Sequence, residues 1–453
     1  MRSIRIAGGY GFYGDLLAPV RSTLERAQVQ YVCSDHLAEL TLAILQKDRL
    51  KDPALGYARD TVSMIASLWP LAKEKGVRFI SNGGGLNPSG AAAALRAELE
   101  KRGLHARIGV VEGDALAERL DELRAAGESL DHMDTGASID TVRERLLFAN
   151  AYLGARPIVE ALEEGAQVVI AGRVADAAVF LAPLVHEHQW GWDDWDRLAQ
   201  GLAVGHLLEC SAQVTGGNFG GDWEKVPDFA HIGYAIAEVG ESGEFTLTKA
   251  PGTGGLVSFD TVREQLLYEV HDPHNYVSPD VVLDLSPIRI VDEGRNEVRV
   301  SGATGKPRPE KLKVVAGYED GYMGVATLGY SWPGALRKAR AAAQSMKTVL
   351  AENGVKYDEL HVSYMGYDAL LGPLADESGA EDLNEVFLRM AIRTRDKRTA
   401  EGFGRYFPWI GLGGPPFVTV TGLTPARQLL GIWPTLVRRD LVEPKVTVRM
   451  VDV

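Results

Sequence analysis

The stretch VRFISNGGGLNPSGAAAALRAELEKRG (Val77–Gly103) joins three patterns in order. VRFIS is a short apolar run, which predicts a buried strand. SNGGGLNP follows at once and combines glycines, asparagines and a proline, the residues of a tight turn. AAAALRAELEKRG then reads as a helix that stops at Gly103. The whole is one β–α unit, and its neighbours decide what the turn is for.

The same unit recurs on both sides. IRIAGG (Ile4–Gly9) precedes LLAPVRSTLERA, and VQYVCSD (Val29–Asp35) precedes HLAELTLAILQKDR. ARIGVVEGD (Ala106–Asp114) precedes ALAERLDELRAAG, and AQVVIAGR (Ala166–Arg173) precedes VADAAVFLAPLVHEH. Continuous apolar strands linked by helices indicate a parallel sheet covered on both faces. Residues 1–205 are therefore expected to form a doubly wound α/β domain. After Gly205 strands such as YAIAEV, FTLTK and EVRVSG follow one another with few helices, until a long helix ends near Gly354. Residues 206–453 are expected to form an α+β domain that completes the site.

Composition narrows the partners. The 453 residues carry 48 Lys and Arg against 61 Asp and Glu, a formal charge of −13. So acidic a surface repels a phosphate backbone, which argues against nucleic acid. No window approaches the length of a transmembrane span, and the N-terminus lacks a signal-peptide pattern, so no membrane association is expected. Cys33 and Cys210 are the only cysteines, which fits a reducing cytoplasm.

In a parallel sheet every loop after a strand opens on one rim, where ligands bind. Those loops read GGYGFYGD, SDHLAE, SNGGGLNP, EGDA and AGRVADA. Gly9, Gly83, Gly84 and Gly85 would let backbone N–H groups approach a ligand. Tyr10, Asn82 and Asn87 add polar readers. Asp15, Asp35, Glu39, Glu112, Asp114 and Asp176 place carboxylates on the rim beside His36. Capping a helix is the ordinary work of such aspartates, above all Asp114 and Asp176. Asp35 and His36 together suit proton transfer, and the Asn82–Asn87 loop would donate to a developing enolate oxygen. Arg173 is the rim cation for a small anionic substrate, with a salt bridge to Asp176 as its alternative role.

Three other signals are weaker. Gly9, Gly11 and Gly14 spell G-x-G-x-x-G, but Tyr10, Phe12 and Tyr13 would crowd a pyrophosphate. The pairs His186/His188 and His271/His274 lack a third ligand, so no metal is expected. His206, Glu209 and Cys210 share one helical face, which leaves open a Cys-dependent hydrolase or acyltransferase against a merely buried thiol. The glycine turns around Asn218 and around Gly252 and Gly254 are further ligand-sized loops.

Taken together, GFYGD, YVCSDHLAELTLAIL, SNGGGLNP, VVEGDAL, ANAYLGARPIVEAL, AGRVADAAVFLAPLVHEHQW, GHLLECSAQVTGGNF, KAPGTGGLVSFDTVREQLLYEV and DPHNYVSPDVVLDLS resemble the acyclic terpene utilisation family across most of residues 4 to 285. Carried over by position, the resemblance marks Asp15, Asp35, Asn82, Gly83, Gly84, Gly85, Asn87, Asp114, Gly172, Arg173, Asp176, His206, Glu209, Gly216, Gly217, Asn218, Pro251, Gly252 and Gly254. It implies catabolism of carboxylic acids handled as CoA thioesters. The expected activity is an acid/base hydratase, dehydratase or related lyase without a cofactor, CoA entering only as part of the substrate. Homo-oligomerisation is expected of such an enzyme. The alternative is a non-catalytic acyl-CoA-binding subunit that depends on a small companion chain.

Overall fold

The computed structural model describes residues 3–453 of a mixed α/β chain. Two compact units divide it. One holds the residues up to Gly317 together with Ile432–Val453, and the other holds Tyr318–Gly431.

In the first unit, β1 (Ser3–Gly8) leads to α1 (Leu17–Arg26), and β2 (Tyr31–Ser34) to α2 (Glu39–Lys51) and α3 (Arg59–Lys75). β3 (Arg78–Ser81) leads to α4 (Pro88–Lys101), and β4 (Arg107–Glu112) to the short α5 (Leu120–Ala125). β5 (Leu146–Ala151) and α6 (Arg156–Glu163) precede β6 (Val168–Ala171), which runs into α7 (Ala178–His188) and α8 (Trp195–Leu208). Strands β1, β2, β3, β6 and β4 lie side by side in that order, all parallel.

Alternation along the strands divides the core between two faces. Val32, Phe79 and Val168 pack with Val20 and Leu24 of α1, Leu68 and Trp69 of α3, and Leu95 of α4. The intervening Cys33, Ile80 and Val169 are equally buried and face the other way, where α7 contacts β1, β2 and β3. Burial on both faces is why the strand interiors Val32–Cys33, Phe79–Ile80 and Val168–Ile170 are wholly apolar.

The sheet does not stop at the parallel strands. β7 (Ala235–Gly240) pairs antiparallel with β1, and β8 (Phe245–Lys249) pairs antiparallel with β7. Beyond α9 (Phe259–Leu267), β9 (Tyr276–Val277) and β10 (Val282–Asp284) come β11 (Arg289–Gly294) and β12 (Glu297–Ser301), which extend the same sheet outward from β8. β13 (Thr304–Lys306) joins β9 and β10 in a small separate sheet. The change of rhythm expected at residues 205 and 206 thus falls inside α8, within the first unit. Antiparallel strands added to a parallel core look like a new domain in the sequence but not in the pairing.

The chain enters the second unit along β14 (Lys311–Ser331). There α10 (Ala335–Glu352), β15 (Glu359–Met365), β16 (Glu385–Thr394), α11 (Lys397–Gly402) and α12 (Ile410–Gly413) follow, and β17 (Val418–Arg438) returns. The strand order is β15, β16, β14, β17, and α10 lays Leu336, Ala339, Ala343 and Met346 against Leu328 and Met390 of the sheet. Back in the first unit, β18 (Thr447–Asp452) pairs antiparallel with β4 at the sheet edge. No helix among the described residues is long and apolar enough to cross a membrane.

Candidate functional site

Strand register sets the rim. Gly8 lies opposite Cys33, Ser34 opposite Ser81, Ser81 opposite Ile170, and Val111 opposite Ala171. The next residues of each strand leave the sheet along one line, so Tyr10, Asp35, Asn82, Asp114 and Arg173 meet at its carboxyl edge.

Adjacent residues there face opposite ways. Asp35 turns toward Arg173, Asp176 and Glu209, whose charges act on it. His36 turns toward Ser81, Tyr10 and Asp60: its Nδ1 lies 3.1 Å from Ser81 Oγ, and its ring lies 5.4 Å from that of Tyr10. The expected Asp35–His36 pair is therefore divided, and Asn82 spans the gap. Its side-chain amide donates to Asp35 Oδ1, and its Oδ1 accepts the His36 N–H at 2.7 Å.

Around Asp35 stands a cluster of carboxyl groups with one cation. Burial first, and then the Asp176 charge, push the Asp35 carboxyl well above the ordinary carboxylate range, against the pull of Arg173. Glu209 is raised for the same reasons, burial and then Asp176. Its Oε1 meets His206 Nδ1 at 3.0 Å, while its Oε2 and His206 Nε2 are buried without a hydrogen-bond partner. Burial lowers the His206 pKa, so this imidazole is neutral. Asp176 is raised by burial and lowered by Arg173, a balance that leaves it upward, yet 39% of its side chain stays accessible. Asp35 and Glu209 are buried, so it is the accessible carboxyl of the three.

Arg173 is fully buried and does different work from the expected substrate clamp. Its Nε donates to Val174 O at 2.9 Å and its Nη1 to Leu37 O at 2.7 Å, while Nη2 reaches Asp176. The guanidinium also lies 4.3 Å from the centre of the Tyr152 ring. Most of its donors hold the rim itself. Asp114 sits beneath, its Oδ2 accepting the Arg173 N–H at 2.9 Å and the Asn150 amide at 2.7 Å. A Cβ at Gly172 would come within 2.5 Å of Asp114 Oδ1, which explains that glycine.

The glycine loop after β3 is packed rather than open. A Cβ at Gly83 would lie 1.8 Å from Thr61 Oγ1, and one at Gly84 would lie 2.6 Å from Ala171 O. Gly85 has φ +53°, and its Cβ would meet Leu45 at 2.4 Å. The Gly83 N–H donates to Ser81 Oγ at 2.9 Å and the Gly85 N–H to Asn82 O at 3.1 Å. Asn87 caps α4, its Oδ1 accepting the Gly90 N–H at 2.9 Å, while its amide holds Ala54 O and Leu55 O. Gly83→Ala is accordingly expected to cost about 1–3 kcal/mol through overpacking, read as a lower urea midpoint; an unchanged midpoint would contradict this packing.

Gly9 makes a similar approach, its Cβ position lying 2.1 Å from Ser34 Oγ. Tyr10 donates its N–H to Ser34 Oγ at 3.1 Å. Asp15 accepts the Gly11 N–H at 2.9 Å and the Tyr234 hydroxyl, which makes it the brace of its own loop. The Gly252 carbonyl is held by Arg26 at 2.8 Å, and Gly254 is wedged against Asp228. Asn218 is exposed, with φ +56°. None of these last three has a hydrogen bond to the carboxyl cluster.

Several participants gave little sign in the sequence. Tyr152 donates to Glu39 at 2.6 Å and Lys313 Nζ reaches the same oxygen at 2.9 Å. Burial alone would raise Glu39, but these two partners hold it down at about 2. Lys313 lies 274 positions from Glu39, so no local pattern announces the contact. Asp60 stands in the first turn of α3, away from any strand-end loop. Cys210 is surrounded unfavourably for a nucleophile: burial, Glu209 and Asp35 all raise its thiol. Cys210→Ser should leave turnover unchanged in a direct assay, and its loss would restore the thiol to consideration.

The family model described as acyclic terpene utilisation family protein AtuA matches residues 4–448, well beyond the stretch ending at residue 285 on which the sequence resemblance rests. No curated protein and no solved structure matches the chain significantly.

Proposed function

The chain belongs to the acyclic terpene utilisation family, and from that premise we propose that it serves the catabolism of acyclic terpenes or related branched carboxylic acids as an acid/base hydro-lyase. The observation that carries this reading is the cluster of Asp35, Asp176 and Glu209 about one buried arginine. Burial raises all three carboxyls, and the Asp176 charge adds to the rise of Asp35 and Glu209. In this reading a raised carboxyl serves as the acid and Asp176, beside Arg173, as the base. That division is what adding water to an activated double bond requires. Asp176, beside Arg173 and open to solvent, takes a proton from water as its oxygen bonds to the β-carbon. Protonated Asp35 or Glu209 delivers a proton to the α-carbon, and the reverse sequence eliminates water.

A CoA thioester suits this site better than a free acid. A free carboxylate would meet a carboxyl-rich cluster whose single arginine is largely engaged with backbone carbonyls, whereas a thioester carbonyl carries no charge. Purified protein offered branched enoyl-CoA and 3-hydroxyacyl-CoA esters should interconvert them and leave the free acids untouched. Absence of turnover on every thioester would refute the proposal, and restoration by a small companion chain would favour the partner-dependent alternative.

A further inference from the structure

The second unit holds a cavity of its own, which the chemistry above does not use. It has a volume of about 460 Å³ and lies where α10 ends, β16 ends and α11 begins. Lys356, Arg398 and Arg405 line it, and Asp396 is its one carboxylate. The local sequence runs against the charge of the chain. Arg389–Arg405 carries six Lys and Arg against two acids, in a chain of formal charge −13.

These charges do not cancel one another. Asp396 is spent on capping α11: its Oδ1 accepts the Arg398 N–H at 3.2 Å, and its Oδ2 accepts the Thr399 N–H at 3.1 Å and the Thr399 hydroxyl at 2.6 Å. Among the described residues no carboxylate forms an ion pair with Lys356, Arg398 or Arg405. Arg405 is held at the cavity wall, its guanidinium 4.8 Å from the centre of the Tyr406 ring and 2.7 Å from the Tyr406 hydroxyl. It also lies 3.9 Å from where a Cβ on Gly402 would stand, and Gly402 and Tyr406 both line the cavity. The carboxyl end of α10 would repel an anion, but its last carbonyls are satisfied. Val349 O accepts the Asn353 N–H and side-chain amide, Leu350 O the Val355 N–H, and Ala351 O the Gly354 N–H. Three cations and one engaged carboxylate leave two positive charges to be matched. A carboxylate ligand brings one negative charge. A phosphate ester brings about two near neutral pH, on oxygens that suit the guanidinium fork.

We propose that this cavity binds the phosphate of a small phosphorylated ligand, held by Arg398 and Arg405 with Lys356 beside them. The inference goes beyond the hydro-lyase reading and does not depend on it. Inorganic pyrophosphate and adenosine 3′,5′-bisphosphate are titrated into the full-length protein by calorimetry, with adenosine as the uncharged control. The anions are expected to bind saturably, and less tightly as salt rises, while adenosine does not bind. Tighter binding of the bisphosphate assigns the phosphate to a nucleotide, and equal or tighter binding of pyrophosphate assigns it to a free phosphate. Arg398→Gln and Arg405→Gln, both at exposed positions, should each weaken binding about tenfold. Arg337→Gln, in the first turn of α10 and so at its far end, removes the same charge and should change nothing. Absence of saturable binding, binding that survives both cavity substitutions, or equal weakening by Arg337→Gln overturns the site.

Discussion

Arg173→Met will unfold at a markedly lower denaturant concentration than the wild type. The guanidinium is buried at the sheet rim, bound to the carbonyls of Leu37 and Val174 and paired with Asp176. Its removal orphans those carbonyls and withdraws a charge that lowers both Asp35 and Glu209. Each buried acceptor left unsatisfied costs about 1–3 kcal/mol, while the partly accessible Asp176 recovers some solvation. Methionine roughly preserves the volume, so the loss is not a cavity effect. Equilibrium urea unfolding at neutral pH measures it, and an unchanged midpoint would mean that the arginine does not organise the rim.

Asp35→Asn should reduce hydro-lyase turnover by a factor on the order of 10²–10⁴, the usual contribution of a positioned acid or base. The same substitution should stabilise the protein, because active-site groups are held in unfavourable environments. The folded pKa of Asp35 is raised above the unfolded value of about 3.9. Its protonated form therefore contributes fully below that pH, and the contribution declines as pH rises toward the folded value. Asparagine does not titrate and escapes this decline. The variant should match the wild type near pH 4 and exceed it by a margin that grows as pH rises toward 7. A stability difference that does not vary with pH would contradict a raised Asp35.

The parallel core was legible because each strand is an apolar run ending in a polar turn, and five such turns must share a rim. Which residues meet at that rim was legible only in part. Asp35 and His36 are neighbours in sequence, yet alternation at a strand end sends them to opposite sides, where one joins Glu209 and the other Asp60. The glycines after β3 suggested a ligand cradle, but they fit against Thr61, Ala171 and Leu45, contacts set by helices and a strand elsewhere in the chain. The division into units escaped for a related reason. Strands β7, β8 and β12 resemble a new domain locally, while hydrogen bonding adds them to the first sheet, and β18 reaches β4 from the far end of the chain. Long-range pairing leaves no trace in local periodicity.

Asp35 and Glu209 hold their protons well above the ordinary carboxylate range, and carboxyl-carbon NMR of selectively labelled full-length protein reads them without any substrate. Asp35→Asn and Glu209→Gln assign the two resonances. Both should titrate well above the surface carboxylates. Resonances that titrate with the surface groups, near pH 4, would contradict that.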